Sequence, residues 1–384
     1  MSGTRPVRAA VIGAGFIGPQ HIDAIRRTGY AEVVALVDAT PERSRASAAA
    51  LGIESDLATP EAVFADPAID VVHICTPNAT HVALATAALE AGKHVVVEKP
   101  VSDTAAEAAS LAALAHARGR HGMVTFTYRG YPMVKRARSM VAGGELGTLR
   151  LAHGCYLQDW LSEPTDYNWR LEPEHAGRSR AVADIGMHWF DTAEFVSGLA
   201  VESVFADLAT IIPERIRPAA AATTFGGGSG DGERVRIATE DAAMILVRFA
   251  GGARGTITVS QVSPGHKNDL TLEVAGSVAS LVWRQESPER LWLGTRADER
   301  ILVRGPSPQD AGVADLPPGH PEGWGEALRD LFRPFYRAVS QGTPPDDVPP
   351  ATYPALDAGR RAVAFVEAVL ASDASGRWEP IAGT

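Results

Sequence analysis

The chain has 384 residues, with 36 basic against 46 acidic side chains and a formal charge of −10. That length predicts two domains of ordinary size, and the acidic balance argues against a nucleic-acid partner or an anionic membrane, which both select basic faces. The 2 cysteines, Cys75 and Cys155, do not make a disulfide framework. No apolar run approaches the roughly 18 residues of a membrane span, and a strand pattern starting near residue 7 leaves no space for a leader, so a cytoplasmic protein is expected.

The first third alternates between strand and helix. Apolar strand runs over 7–13, 32–38, 70–76, 94–98 and 121–127 enclose helical spacing over 18–28, 42–51, 79–91 and 104–118. In the first helix His21, Ile22 and Ile25 take the inward side. Near-continuous Val/Ile strands separated by helices predict a parallel sheet covered on both faces. The pattern changes after about residue 128. Helices are predicted over 132–141 and 184–198, then strands over 203–212, 242–249, 255–262, 270–276, 280–283 and 291–293, with an earlier strand over 148–157. Helical spacing returns over 326–339 and 353–372. Strands in series with short turns predict a large, mainly antiparallel open sheet. The division is therefore an α/β domain over 1–128 and an α+β domain over 129–384. Stretches 213–236, 305–319 and 342–350, rich in Gly, Pro or Ala, read as loops, the first as a flexible insertion.

Gly13-Ala14-Gly15-Phe16-Ile17-Gly18 is G-x-G-x-x-G between the first strand and the first helix. Gly13 permits a tight turn, Gly15 lets a pyrophosphate approach the backbone, and Gly18 lets helix and strand pack closely, with Phe16 and Ile17 opening the helix. Asp38 stands 20 residues after Gly18, at the end of the second strand. A carboxylate there accepts from ribose hydroxyls and repels a 2′-phosphate, so NAD is favoured over NADP in a Rossmann domain. Arg43 can stack on adenine or attract that phosphate. Thr76 and Asn78 follow the third strand, where ligands of open α/β sheets sit; Asn78 serves the nicotinamide ribose, caps the next helix, or both. His81 reads as structural.

Glu98-Lys99-Pro100 closes the fourth strand, and Asp184-Ile185-Gly186-Met187-His188-Trp189-Phe190-Asp191 reads D-x-G-x-H-x-x-D. With the glycine fingerprint and Thr76-Pro77-Asn78, this pair of motifs resembles the Gfo/Idh/MocA family, the glucose–fructose oxidoreductase and inositol dehydrogenase relatives. The runs Ala275-Gly276-Ser277 and Gly319-His320-Pro321-Glu322-Gly323-Trp324 agree. From the residues alone, Lys99 either pairs with Glu98 or donates to a substrate oxygen. Glu98 is placed with the cofactor-binding residues. Asp184, His188 and Asp191, at i, i+4 and i+7, share one face of a regular helix, where a His among carboxylates suits a general base. A metal reading fails for want of a third ligand at convincing spacing.

The resemblance implies that Lys99, Asp184 and His188 form the catalytic set of a dehydrogenase acting on a sugar, sugar derivative or cyclitol, and that the second domain forms a homodimer or homotetramer through its open sheet. It also leaves two alternatives, a redox-neutral NAD-dependent glycosidase and a dinucleotide-sensing regulator without catalysis. Tyr128, Arg129, Asp159, Trp169 and Arg170, with Asp191, are candidates for substrate contact, since aromatic faces beside Asp and Arg suit polyhydroxylated rings; packing within the core is the competing reading. Arg178 and Arg180, where many relatives carry small residues, shape a pocket or face solvent.

Overall fold

A computed structural model describes residues 5–218, 232–305 and 314–383. Its opening elements are β1 (Val7–Ile12), α1 (Ile17–Thr28), β2 (Ala31–Val37), α2 (Pro41–Ala50), α3 (Pro60–Ala65), β3 (Val71–Ile74), α4 (His81–Glu90), β4 (His94–Val97), α5 (Ala105–Ala117) and β5 (Gly122–Val124). There follow α6 (Pro132–Ala142), β6 (Leu149–Leu157), α7 (Pro173–Ala176), α8 (Met187–Ser197), β7 (Val201–Ala209), β8 (Glu214–Pro218), β9 (Gly232–Arg236), β10 (Ala242–Phe249) and β11 (Arg254–Ser260). The chain continues through β12 (Asp269–Gly276), β13 (Ala279–Arg284), β14 (Arg290–Thr295), β15 (Glu299–Val303), α9 (Trp324–Gln341), α10 (Leu356–Ser375) and β16 (Glu379–Pro380). No helix among the described residues is long and apolar enough to cross a membrane.

Contacts divide the chain into two compact units. The first holds the residues up to Gly130 together with Gly323–Arg360. Its sheet is parallel, in the order β2-β1-β3-β4-β5. Strands buried on both faces explain the unbroken Val/Ile runs. The order reverses between β1 and β3, and the loops that leave these two strands, at Gly13 and Thr76, flank the crevice where open α/β sheets bind ligands.

Residues Gly323–Arg360, which the sequence division assigned to the second domain, pack with the first unit. The cause is the apolar stripe Leu328, Leu331, Phe332, Phe335 and Tyr336 of α9, spaced i, i+3, i+4, i+7, i+8. It joins Val7, Val11, Ile22 and Ile25 in one core. Arg27 of α1 meets Glu326 at 2.8 Å over that contact. Gly130 allows the approach, because a Cβ there would lie 1.8 Å from the Ala327 carbonyl.

Four histidines of this unit have their pKa depressed by burial. Burial pushes the His73 pKa well below its ordinary value, lowers those of His81 and His121, and brings His94 down to about 3. The unfolded chain binds these protons below about pH 6.5, whereas the folded chain resists them. The stability they contribute is therefore present above about pH 6.5 and lost as pH falls toward the folded values. The urea midpoint is expected to drop between about pH 7.5 and about pH 5; a midpoint that stays level across that window counts against this account.

The second unit holds Tyr131–Glu322 and the residues from Arg361 on. Its sheet runs β15-β14-β13-β12-β6-β11-β10-β7-β16, antiparallel except where β6 pairs β11. Alternate residues of β10 and β11 are buried and exposed, the signature of one covered face. Helix α8 packs on the covered side: Trp189 Nε1 donates to the Thr271 carbonyl at 3.0 Å, and Phe190 stacks on Phe365 of α10 at 4.6 Å. Gly154 makes room, since a Cβ there would stand 2.7 Å from the Trp189 indole nitrogen.

The reading of 213–236 as a flexible insertion is corrected at both ends. Strands β8 and β9 pair antiparallel from Glu214↔Arg236 to Pro218↔Gly232, and residues 219–231 lie outside the described residues. Arg215 roots this hairpin, donating to the carbonyls of Leu161 at 2.8 Å and Glu163 at 2.9 Å. The Gly/Ala-rich middle concealed the two flanking strands. Residues 306–313 of the predicted loop 305–319 are likewise outside the described residues.

Candidate active site

The predicted residues fall into two groups, one in each unit. In the first unit, Gly13 has φ +105°, and a Cβ on it would meet the Cys75 carbonyl oxygen at 2.5 Å. Gly18 faces the Gly13 carbonyl so closely that a Cβ would lie 2.0 Å from it, while nothing stands within 4 Å of the place a Gly15 Cβ would take. Two glycines are thus required by packing and the third leaves the backbone open to a ligand. Phe16 is exposed beside it, and the first turn of α1, from Ile17, carries no acidic residue to compete for the helix N-terminus. These features fit a dinucleotide pyrophosphate.

Asp38 lies immediately after β2. Its Oδ1 accepts from the Ala39 N–H at 2.8 Å, and its Oδ2 accepts from Arg43 Nε at 2.9 Å. Each carboxylate oxygen retains a lone pair for a ribose hydroxyl. Thr76 receives the Thr80 hydroxyl at 2.6 Å, and Asn78 opens a 3₁₀ turn ahead of α4 rather than α4 itself. His81 sits with Nδ1 2.7 Å from the Pro100 carbonyl oxygen and Nε2 2.9 Å from that of Thr76, tying the two loops together. Lys99, half-buried, precedes Pro100 across a cis peptide bond, and its N–H donates to Glu98 Oε2 at 3.2 Å. Tyr128 and Arg129 occupy a 3₁₀ turn ending at Gly130; Tyr128 is buried.

In the second unit the motif helix is not regular. Val182–Gly186 forms a π-turn, in which the Met187 N–H reaches back to the Val182 carbonyl, before α8 begins. The i, i+4, i+7 spacing assumes a regular α-helix, and the π-turn departs from that period around Asp184. Such insertions are frequent at functional sites. Asp184 is gripped instead from outside its helix: Arg170 Nε donates to Oδ1 at 3.3 Å and Gln261 Nε2 to Oδ2 at 2.8 Å. His188 and Asp191 are both buried on α8. The His188 ring lies 6.4 Å from that of Tyr156, whose hydroxyl donates to Asn268 Oδ1 at 2.5 Å. Trp169 lies under the Arg170 guanidinium at 4.6 Å. Asp159 is held by Lys267 at 2.6 Å and the Gly265 N–H at 3.0 Å; the Lys267 bond is the main reason its carboxyl sits below the usual range.

Arg180 does not face solvent, for it is fully buried in an ion network. Its guanidinium pairs with Asp241 and donates to Gln261 Oε1 at 3.1 Å, while Arg215 donates to the same Asp241 oxygen at 2.9 Å. Burial alone would raise the Asp241 pKa, but Arg180, the Ile212 N–H and Arg215 outweigh it and hold the carboxyl below its ordinary value. Gln261 therefore links a buried ion network to Asp184. Arg178 is exposed. Sequence reasoning missed Gln261, Arg215 and Asp241, which no local motif marks; only the strand register brings them beside Asp184 and Arg180.

Comparison with known proteins agrees with this architecture. Residues 7–126 match an oxidoreductase family described as NAD-binding Rossmann fold, and residues 134–282 match the GFO/IDH/MocA C-terminal domain. A levoglucosan dehydrogenase of Pseudarthrobacter phenanthrenivorans is 29% identical, with 97% of each chain covered. The crystal structure of an oxidoreductase domain protein from Kribbella flavida matches with TM-score 0.87 at 32% identity, covering 98% of this chain and 99% of that one. An inositol dehydrogenase homolog from Azotobacter vinelandii, solved with NADH and myo-inositol, matches at 0.86 with 30% identity, covering 98% of both. The chain belongs to the Gfo/Idh/MocA family of oxidoreductases, and its N-terminal unit carries that family's NAD-binding Rossmann fold.

Proposed function

We propose that this enzyme transfers a hydride between NAD and a secondary alcohol of a sugar, sugar derivative or cyclitol. The observation that carries the reading is the grip of Arg170 and Gln261 on Asp184, one turn ahead of His188. A carboxylate fixed by two donors from distant segments is built for orientation rather than for surface solvation. In this reading His188 takes the proton of the reacting hydroxyl, and Lys99 donates a hydrogen bond to the oxygen as negative charge grows on it. Asp184 orients the substrate or His188, and Trp169 with Arg170 offers an aromatic face and a donor to a polyol ring. NAD, when bound, supplies the two-electron acceptor. The names of the relatives support the substrate class. Exposed Leu151, Met244 and Leu246 on the open sheet face support the expected homodimer or homotetramer, which light scattering would measure.

The test is purified protein mixed with NAD or NADP and a panel of levoglucosan, myo-inositol, aldoses and glycosides, followed by nicotinamide absorbance. Reduction abolished by Lys99→Met is the expected outcome. No reduction, together with release of free sugar, would instead identify a redox-neutral glycosidase.

Cofactor choice gives a second expected result. Asp38→Ala removes the charge that repels a 2′-phosphate and leaves Arg43 nearby to attract one. The ratio of kcat/KM for NADP to that for NAD is expected to rise by about tenfold or more. An unchanged ratio would exclude Asp38 as the discriminating residue.

A further inference from the structure

A line of four buried side chains leads away from the Glu98–Lys99 segment into the first unit. Glu98 Oε1 lies 3.0 Å from His21 Nε2, His21 Nδ1 lies 2.9 Å from His73 Nδ1, and His73 Nε2 lies 2.7 Å from the Tyr336 hydroxyl. His21, His73 and Tyr336 are all at 0% exposure and Glu98 at 9%. Phe332 closes the line from the side, with ring centroids 4.9 Å from His21 and 5.0 Å from His73.

Elementary hydrogen-bond accounting gives the line a direction. Tyr336 stands at its inner end, and His73 is the only partner of its hydroxyl among the described residues. A buried O–H left without an acceptor is costly, so Tyr336 donates to His73 Nε2. His73 then carries its single proton on Nδ1 and donates to His21 Nδ1. His21 carries its own on Nε2 and donates to Glu98. A second proton on His21 would force His73 to donate to Tyr336 and strand the hydroxyl proton. Burial independently keeps His73 neutral, holding its pKa well below the ordinary value. The far end then fits a carboxylate, which accepts from His21 with Oε1 and from the Lys99 N–H with Oε2.

We infer that Tyr336, His73 and His21 are positioning residues that fix the Glu98 carboxylate and, through it, the backbone of Lys99. Tyr336 is fully enclosed, so it acts on the reaction only through this line. The inference rests on the reading of Lys99 as the donor to the substrate oxygen, and the experiment separates the two.

Ring-nitrogen NMR of the full-length protein labelled at histidine reads the direction without any substrate. The expected spectrum has His21 protonated at Nε2 and His73 at Nδ1 near neutral pH. The opposite tautomers, or a doubly protonated His21, would overturn the inference whatever the enzyme does. The second arm is Tyr336→Phe, with folding checked by circular dichroism. The chain contains only the lysines Lys93, Lys99, Lys135 and Lys267, so labelled lysine amines give four resolvable signals, assigned by Lys99→Met. In folded Tyr336→Phe the Lys99 signal is expected to move while those of Lys135 and Lys267 stay. For the polyol turned over by the unaltered enzyme, kcat is expected to fall about tenfold with KM for NAD unchanged. An unmoved Lys99 signal in a folded variant refutes the positioning role. If the unaltered enzyme oxidises no polyol, the function reading fails by itself, and the histidine tautomers and Lys99 signal still decide the inference.

Discussion

Replacing His188 by Ala is expected to lower kcat for polyol oxidation by about 10²–10⁴-fold, the usual contribution of a positioned general base. Affinity for NADH, followed by its fluorescence, is expected to stay unchanged, because the proposed role of His188 is to take the substrate's proton and not to hold the dinucleotide. The same loss in kcat and in kcat/KM would mark an interaction made only in the transition state. Asp184→Asn keeps the acceptor oxygen for one donor but removes the charge, so a smaller loss is expected there. The double variant is expected to lose little more than His188→Ala alone, since residues acting as a unit are not additive. Full turnover by His188→Ala would remove the residue from the mechanism.

The largest effect on stability is expected at Asp241. Its carboxylate neutralises two guanidinium groups, Arg180 and Arg215, and the side chains of all three are at 0% exposure. Asp241→Ala would leave two cations buried without their counter-charge. Breaking such a site costs about 3–5 kcal/mol, or roughly 10 °C in melting temperature for a unit of this size. Because the folded carboxyl titrates below its ordinary range, its contribution is complete above the unfolded pKa of about 4 and is lost only as pH falls through the lower folded value. The exposed Asp159–Lys267 pair supplies the contrast: Lys267→Ala is expected to cost less than about 1 kcal/mol. Thermal melts of the two variants side by side would reveal the difference. Equal melting temperatures would show that the buried network contributes no more than a surface pair.

Much of the first unit is written in local sequence. Gly13, Gly15 and Gly18 announce themselves because a turn, a ligand approach and a helix contact each demand a missing side chain within six residues. Glu98-Lys99 is legible for the same reason, as a polar pair closing an apolar strand. What escapes sequence reasoning is contact across distance. Gln261 follows a strand with nothing nearby to distinguish it, and it meets Asp184 only because the sheet brings the end of β11 there. The line from Glu98 to Tyr336 joins four elements of the first unit, and His21 showed in sequence only as an inward residue of a helix. The π-turn before α8 is invisible to a 3.6-residue period, which reads Asp184 to Asp191 as one regular helix. Helix α9 was foreseen as a helix, but its apolar stripe did not say which unit it would complete.

That last feature bears on how the protein is made. The first unit is interrupted in the chain: roughly 190 residues, Tyr131–Glu322, lie between its sheet and helix α9. At translation rates of about 5–20 residues per second, α9 emerges about 10–40 s after the sheet that it covers. During that interval Val7, Val11, Ile22 and Ile25 lack the partners that bury them in the finished molecule. The nascent Rossmann sheet therefore waits with an uncovered apolar flank while most of the second unit is synthesised, and it is in that waiting state that a chaperone would find its binding surface.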